Sequence, residues 1–260
     1  MRYGLCVSNI GSHSDARAVA GLAEAAEGAG WEAVFVWDHL AFVWGMPSAD
    51  PWVVLTACAL ATSRILLGTT VTPVPRRRVQ NVAHTVSTLD RLSGGRVVFG
   101  AGLGGNRGEF ERFGEDFERA RRLALFDEGL DVLRRLWDGE VVDNDGAVVV
   151  RGVRLNPRPA GRVPIWVGGN SSDALARAAQ FDGWVADSVR PDGMKLSPEE
   201  VAQRAAGLRV GVEVVVNGYA AEASVRDYEA AGATWWLENV HDLRGSPDEI
   251  LSLVRQGPPA

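Results

Sequence analysis

Asp38-His39 closes a β-rich run, Ala33–Trp37, and sets an imidazole beside a carboxylate. Such a pair can move a proton near neutral pH, because a histidine ordinarily titrates close to it. A lone histidine is as often structural, so its meaning depends on what surrounds it. Trp44 follows shortly and can wall an aromatic ligand or simply pack. Gly100-Ala101-Gly102-Leu103-Gly104-Gly105, after the run Arg96–Phe99, formally reads G-x-G-x-x-G. A dinucleotide site would open a helix on the last glycine and place an acidic strand end about 20 residues later. Here Asn106–Gly114 reads as loop and a helix occupies the next stretch, so a Rossmann site is disfavoured. The glycines are read instead as a tight turn where backbone must approach a flat ligand or a neighbouring strand. Gly168-Gly169-Asn170-Ser171 follows Pro164–Val167. Its glycines permit close backbone approach, and Ser171 or Ser172 can cap the next helix. The free N–H groups at that start suit a phosphate, although an ordinary capped turn has the same sequence.

Each of these groups lies between a strand-like run and a helical one. The strand-like runs are Tyr3–Ser8, Ala33–Trp37, Ile65–Val71, Arg96–Gly100, Pro164–Val167, Gly183–Asp187, Val212–Val216 and Thr234–Glu238. The helical stretches after them are Asp15–Ala29, Pro51–Thr62, Val79–Leu92, Phe117–Trp137, Ser172–Gln180, Ser197–Gly207, Ala221–Ala231 and Pro247–Gln256, by apolar spacing and stop residues. Val141–Leu155 interrupts the rhythm; Asp143-Asn144-Asp145-Gly146 between two valine-rich runs predicts a β-hairpin before strand 5. Eight βα units at this length predict an α/β fold, a single (β/α)8 TIM barrel over residues 1–260, with all strand carboxyl ends on one rim. An open doubly wound sheet is the structural rival, since alternation alone does not prove closure.

Composition narrows the function classes. The net charge of −6 argues against a nucleic-acid partner. No 18-residue apolar run is present, so no membrane span is expected. Met1–Ser8 runs straight into a strand pattern, so no signal peptide is expected. Cys6 and Cys58 lie far from each other and from any histidine at ligand spacing, which predicts neither a disulfide nor a metal site and fits a reducing cytoplasm. Arg76-Arg77-Arg78 reads either as a solvated loop or as a receiver of an anionic ligand.

Taken together, Ala23–Leu40, Leu60–Pro73, Thr88–Gly114 and Asn156–Trp184 resemble the bacterial luciferase-like superfamily of flavin- and deazaflavin-dependent oxidoreductases. The most specific stretches are TLDRLSGGR with its following strand, G-x-G and E-F-x-x-F-G, and the P-x-W-V-G-G-x-S run. The likeness covers roughly residues 1–190 and is diffuse beyond Asp192. It implies a flavin-type ring over the strand ends, with phosphate near Gly168, Gly169, Asn170 and Ser171 and near the turn of Gly102 and Gly104. By resemblance, Asp38 orients His39, His39 gives or takes a proton, Trp44 walls the ring, and Glu109 is a second acid–base group. Thr70–Val71 matches a bulge with a cis peptide pressing on the ring. The chain departs from the pattern after the third strand, where Arg78-Val79 stands without the proline that usually opens the next helix. Ser188–Pro198 also leaves little room for a long lid.

The resemblance implies an oxidoreductase using F420, which is favoured, or FMN, to reduce, oxidise or monooxygenate a small organic substrate, as a homodimer. Apolar Phe42, Val43 and Met46 near His39 suit an organic ligand. A non-catalytic flavin-binding barrel of the same superfamily is the alternative. A non-redox aldolase or isomerase is disfavoured, because Lys195, the sole lysine, stands in a loop-like stretch without a carboxylate–histidine cluster.

Overall fold

The computed structural model describes residues 1–190 and 193–259. Eight parallel strands, with the two-residue strand Thr72–Pro73 beside the fourth, form the sheet: β1 (Arg2–Val7), β2 (Ala33–Val36), β3 (Leu66–Thr69), β4 (Val97–Gly102), β5 (Ile165–Gly168), β6 (Gly183–Ala186), β7 (Glu213–Gly218) and β8 (Trp235–Val240). Their spatial order is β3-β2-β1-β8-β7-β6-β5-β4, and β3 pairs back to β4 through Leu67↔Val97 and Gly68↔Val98. That last pairing closes the barrel and removes the open-sheet rival. Eight helices follow the strands: α1 (Ala16–Gly28), α2 (Pro51–Ala61), α3 (Val79–Ser93), α4 (Arg119–Asp138), α5 (Ser172–Ala178), α6 (Pro198–Ala205), α7 (Val225–Ala230) and α8 (Pro247–Arg255).

Local sequence explains where the helices begin. The Asp50 carboxylate accepts the N–H groups of Trp52 and Val53 ahead of Pro51, whose ring already has helical φ. Ser197 with Glu200, and Ser246 with Glu249, form reciprocal capping boxes on α6 and α8. Inward faces then build two cores. Between sheet and helices lie residues such as Leu5, Val34, Leu67, Phe99 and Leu133. Inside the barrel the alternate strand residues meet: Cys6, Phe35, Val98, Trp166, Val215, Trp235 and Leu237. Phe35 stacks on Trp166 at 4.9 Å, and Trp166 tilts against Trp235 at 5.5 Å. This plug fills the lower barrel, so a ligand site can form only above it, at the carboxyl ends.

The hairpin is present but its turn sits later than expected. Val141–Asp145 and Val149–Arg154 pair antiparallel, with Asn144 inside the first strand opposite Val150. Glu128 on α4 explains the shift: its carboxylate accepts from Val148 N and Asn144 Nδ2, both at 2.9 Å, and holds the turn against the helix. Asn106–Gly114, expected as loop, contains a short helix at Gly108–Glu111. In the Ser188–Pro198 segment, Val189–Arg190 and Gly193–Met194 form a two-residue antiparallel pair. Pro191 and Asp192 between them lie outside the described residues.

Candidate active site

A cavity of about 420 Å³ opens at the carboxyl ends of the strands, within the range that binds cofactor-sized ligands. Asp38 and His39 enter it from beyond β2, Thr70 and Val71 from beyond β3, and Gly102 and Gly104 from β4 and its turn. Glu109 comes from the short helix after that turn, and Gly168 and Gly169 from the end of β5. These expected site residues therefore share one cavity.

Charge within it is arranged differently from the expectation for Asp38. The Asp38 carboxylate is fully buried and accepts from arginines, not from His39. Arg76 Nη2 donates to its Oδ1 at 2.5 Å and to its backbone carbonyl at 2.8 Å. Arg77 adds a two-pronged contact, Nε to Oδ2 at 2.8 Å and Nη2 to Oδ1 at 2.7 Å. The carboxylate that orients His39 is Glu109, whose Oε1 lies 2.7 Å from Nδ1. Its Oε2 accepts from Arg76 Nη1. One buried guanidinium thus bridges the two carboxylates, which satisfies the rule that a buried charge needs a hydrogen-bonded partner. Arg76 and Arg77 are accordingly struts against Asp38 and Glu109 as well as, with the exposed Arg78, part of the lining of a neighbouring cavity of about 530 Å³. Burial and the adjacent Arg76 cation lower the His39 pKa below its ordinary 6.5, partly opposed by Asp38. With Nδ1 held by Glu109, Nε2 is the nitrogen left for a substrate.

The cavity floor is built by a break in β3. Thr70–Val71 is a cis peptide, as the resemblance implies, and Thr72–Pro73 then resumes pairing with β4. Space for the displaced backbone comes from glycines on the neighbours. A Cβ on Gly100 would lie 1.7 Å from Thr69 O, one on Gly102 would lie 2.3 Å from Val71 Cγ2, and one on Gly168 would lie 3.0 Å from Val71 Cγ1. The G-x-G is thus explained by approach of a neighbouring strand. Hydroxyl bonds brace the bulge: Thr69 Oγ1 donates to Gly100 O, and Thr72 Oγ1 to Thr69 Oγ1, each at 3.0 Å. The outcome is a floor of Val71 side chain and bare glycine backbone, smooth enough for a planar ring. Gly105 has open space where a Cβ would stand.

Three expected residues lie outside this lining. Trp44, about two-fifths exposed, packs at the rim with its ring 5.6 Å from that of His39. Asn170 uses its amide as a clamp, donating to Asp187 O at 2.8 Å and accepting from Asp187 N at 3.0 Å, so its side chain joins β5 to β6. Ser171 caps α5 through Ala174 N. The sequence reading missed a second group at the same rim: Asn217, Tyr219, Asn239 and His241 on and beyond β7 and β8. They line a further cavity that also includes His39 and Thr70. A polar residue at an inward position, as in Val215–Asn217 and Leu237–Asn239, was the available signal.

The family model for luciferase-like monooxygenases matches residues 1–241. The chain is 29% identical over 236 residues to a 5,10-methylenetetrahydromethanopterin reductase of Methanolobus tindarius, covering 90% of this chain and 69% of that one. It is 36% identical over 171 residues to an F420-dependent glucose-6-phosphate dehydrogenase of Beutenbergia cavernae, covering 63% of this chain and 50% of that one. It thus spans between half and about two thirds of the length of these relatives. The fold superposes on the coenzyme F420 dependent tetrahydromethanopterin reductase of Methanopyrus kandleri with a TM-score of 0.77 at 16% identity, covering 98% and 97% of the two chains. With the barrel, the cis bulge and the histidine–glutamate pair in place, this chain belongs to the luciferase-like monooxygenase family.

Proposed function

We propose that this chain is an oxidoreductase that binds F420 in preference to FMN and acts on a small organic substrate beside His39. The observation that carries the reading is His39, its Nδ1 held 2.7 Å from Glu109, at the edge of a cavity floored by Val71 and glycine. These residues fit a planar redox ring: Val71 and bare glycine backbone make an apolar floor, and polar groups stand around it. When bound, F420 or FMN would supply the hydride-transferring ring that no side chain provides. The chain's own part is to position and to handle protons. Val71 and the glycines support one face, the Gly168-Gly169 turn offers backbone where the phosphate-bearing end would lie, and Arg76 fixes Glu109. His39 Nε2 would accept the proton of a substrate hydroxyl as it is oxidised to a carbonyl and, in the reverse direction, return it to the carbonyl oxygen. The relative named as F420-dependent supports that cofactor, and the family description keeps monooxygenation with FMN within range.

Titration of the purified protein with F420 and with FMN, followed by ring fluorescence, tests the proposal. Selective quenching by F420 is expected, and binding of neither would refute the reading. A cytoplasmic setting is proposed from the two cysteines, both free and buried. No helix among the described residues is long and apolar enough to cross a membrane. A homodimer is proposed as well, because α2 carries apolar residues all round and exposes Val53 and Leu60.

A further inference from the structure

The second cavity at the rim, about 460 Å³, has walls and a floor of opposite character. Trp37, Met46, Val189 and Leu243 make apolar walls, the floor is Asn217, Asn239, Tyr219 and His241, and Asp187, Arg190 and Asp242 stand at the edge. Asn239 is 3% exposed and Tyr219 1%. Asn239 Nδ2 donates to Tyr219 Oη at 2.7 Å, and Tyr219 Oη donates to Arg190 O at 3.0 Å. The phenol has a single proton, so the 3.0 Å contact with His241 Nε2 places the donor hydrogen on the imidazole. Burial, then Arg244 and His13, lower the His241 pKa, with Asp242 opposing. Yet Asn217 Oδ1 and Asn239 Oδ1, on adjacent strands, have no hydrogen-bond partner. Buried amide oxygens are normally satisfied, so two acceptors orphaned at one cavity call for donors from outside the chain. Acidic groups at the rim are already engaged, Asp187 by Lys195 and Asp242 by Ser12 and His13.

We infer that this cavity is a substrate-recognition subsite for a neutral hydrogen-bond donor, a hydroxyl or N–H, carried on an apolar skeleton away from the carbon that reacts beside His39. The inference rests on the proposed oxidoreductase reading, in that His39, Thr70, Asp187 and Asn217 line both cavities and so join recognition to chemistry. Asn239 and Asn217 fix which end of the substrate enters, and the apolar walls hold its skeleton.

The test uses the full chain without cofactor and three probes: 4-hydroxycyclohexanone, 4-methoxycyclohexanone and 4-oxocyclohexanecarboxylate, with affinities measured by saturation-transfer NMR. The hydroxyketone should bind about tenfold more tightly than the ether, as expected for one hydrogen bond to a buried acceptor. Asn239→Leu should erase that difference while F420 or FMN titrates as before. Equal binding of alcohol and ether by the unmodified chain, or tighter binding of the carboxylate, would overturn the inference without any variant. Displacement of the hydroxyketone by the cofactor would also overturn it, since the orphaned oxygens would then serve the ring. If the hydroxyketone binds selectively but neither cofactor binds, the oxidoreductase reading fails and the subsite stands.

Discussion

Arg76 lies between Asp38 and Glu109 with all three side chains out of water, and removing one partner from such a group leaves the others charged and unsolvated. Arg76→Leu should therefore lower stability by about 3–5 kcal/mol in urea unfolding, well beyond the loss of an exposed ion pair. An unchanged midpoint would mean that solvent reaches the pair. His39 makes no comparable structural contribution, because its ring is about two-fifths exposed and holds one side-chain partner. His39→Ala should thus reduce turnover by about 10²–10⁴ while cofactor affinity changes little, read from kcat against fluorescence titration. Equal turnover would remove the imidazole from the mechanism. At this scale the sequence named His39, Asp38 and Glu109 but not their pairing. Asp38 is adjacent to His39 in the chain, yet successive residues at a strand end point to different sides, so the nearer carboxylate in sequence is not the nearer one in space.

The strand ends show which glycines make the site. Gly102→Ala would place a methyl group 2.3 Å from Val71 Cγ2, against a backbone that has no slack. The expected result is a cost of about 1–3 kcal/mol in stability and a cofactor affinity reduced about tenfold as Val71 is pushed into the cavity. Binding at full strength with a shifted unfolding midpoint would show that the bulge does not touch the ligand. The family-like TLDRLSGGR run has a different purpose. Asp90 accepts from Val97 N and Ala160 N, and Arg96 donates to the carbonyls of Ala59, Thr62, Ile65 and Ser93. It ties α2, α3 and β4 together at the end of the barrel opposite the cavity. Its recognisability comes from scaffold geometry, while the weaker Gly-rich run lies in the site.

For the whole molecule, acid should act in two stages. His13 and His241 have pKa values lowered below 6.5, chiefly by burial, so the unfolded chain binds more protons than the native one as the pH drops. The stability they preserve is present above pH 6.5 and is lost as the pH falls through their native values. Glu27 follows: burial opposes its ionisation, but the N–H groups of Arg64, Ile65 and Ser63 bring its pKa from 4.5 to about 2. Its contribution, present above pH 4.5, disappears towards pH 2. Melting temperatures across pH 7 to 5 should decline, and His241→Gln should flatten the slope; an unaltered slope would show that the ring titrates normally. The outer face of α2 bears on assembly. Leu60→Glu, with Leu60 72% exposed in the single chain, should give monomers by light scattering if that face joins two copies, and an unchanged mass would exclude it.

The sequence by itself determined the eight βα units, the hairpin and one group of residues at their strand ends, because apolar periodicity, caps and glycine placement are local properties that survive without coordinates. Only the tertiary structure decided the partners: Arg76 between two carboxylates, Glu109 rather than Asp38 on His39, and Val71 over Gly102. Those contacts join residues from different βα units, and their distance in space is set by barrel closure and the break in β3, which no stretch of chain contains alone.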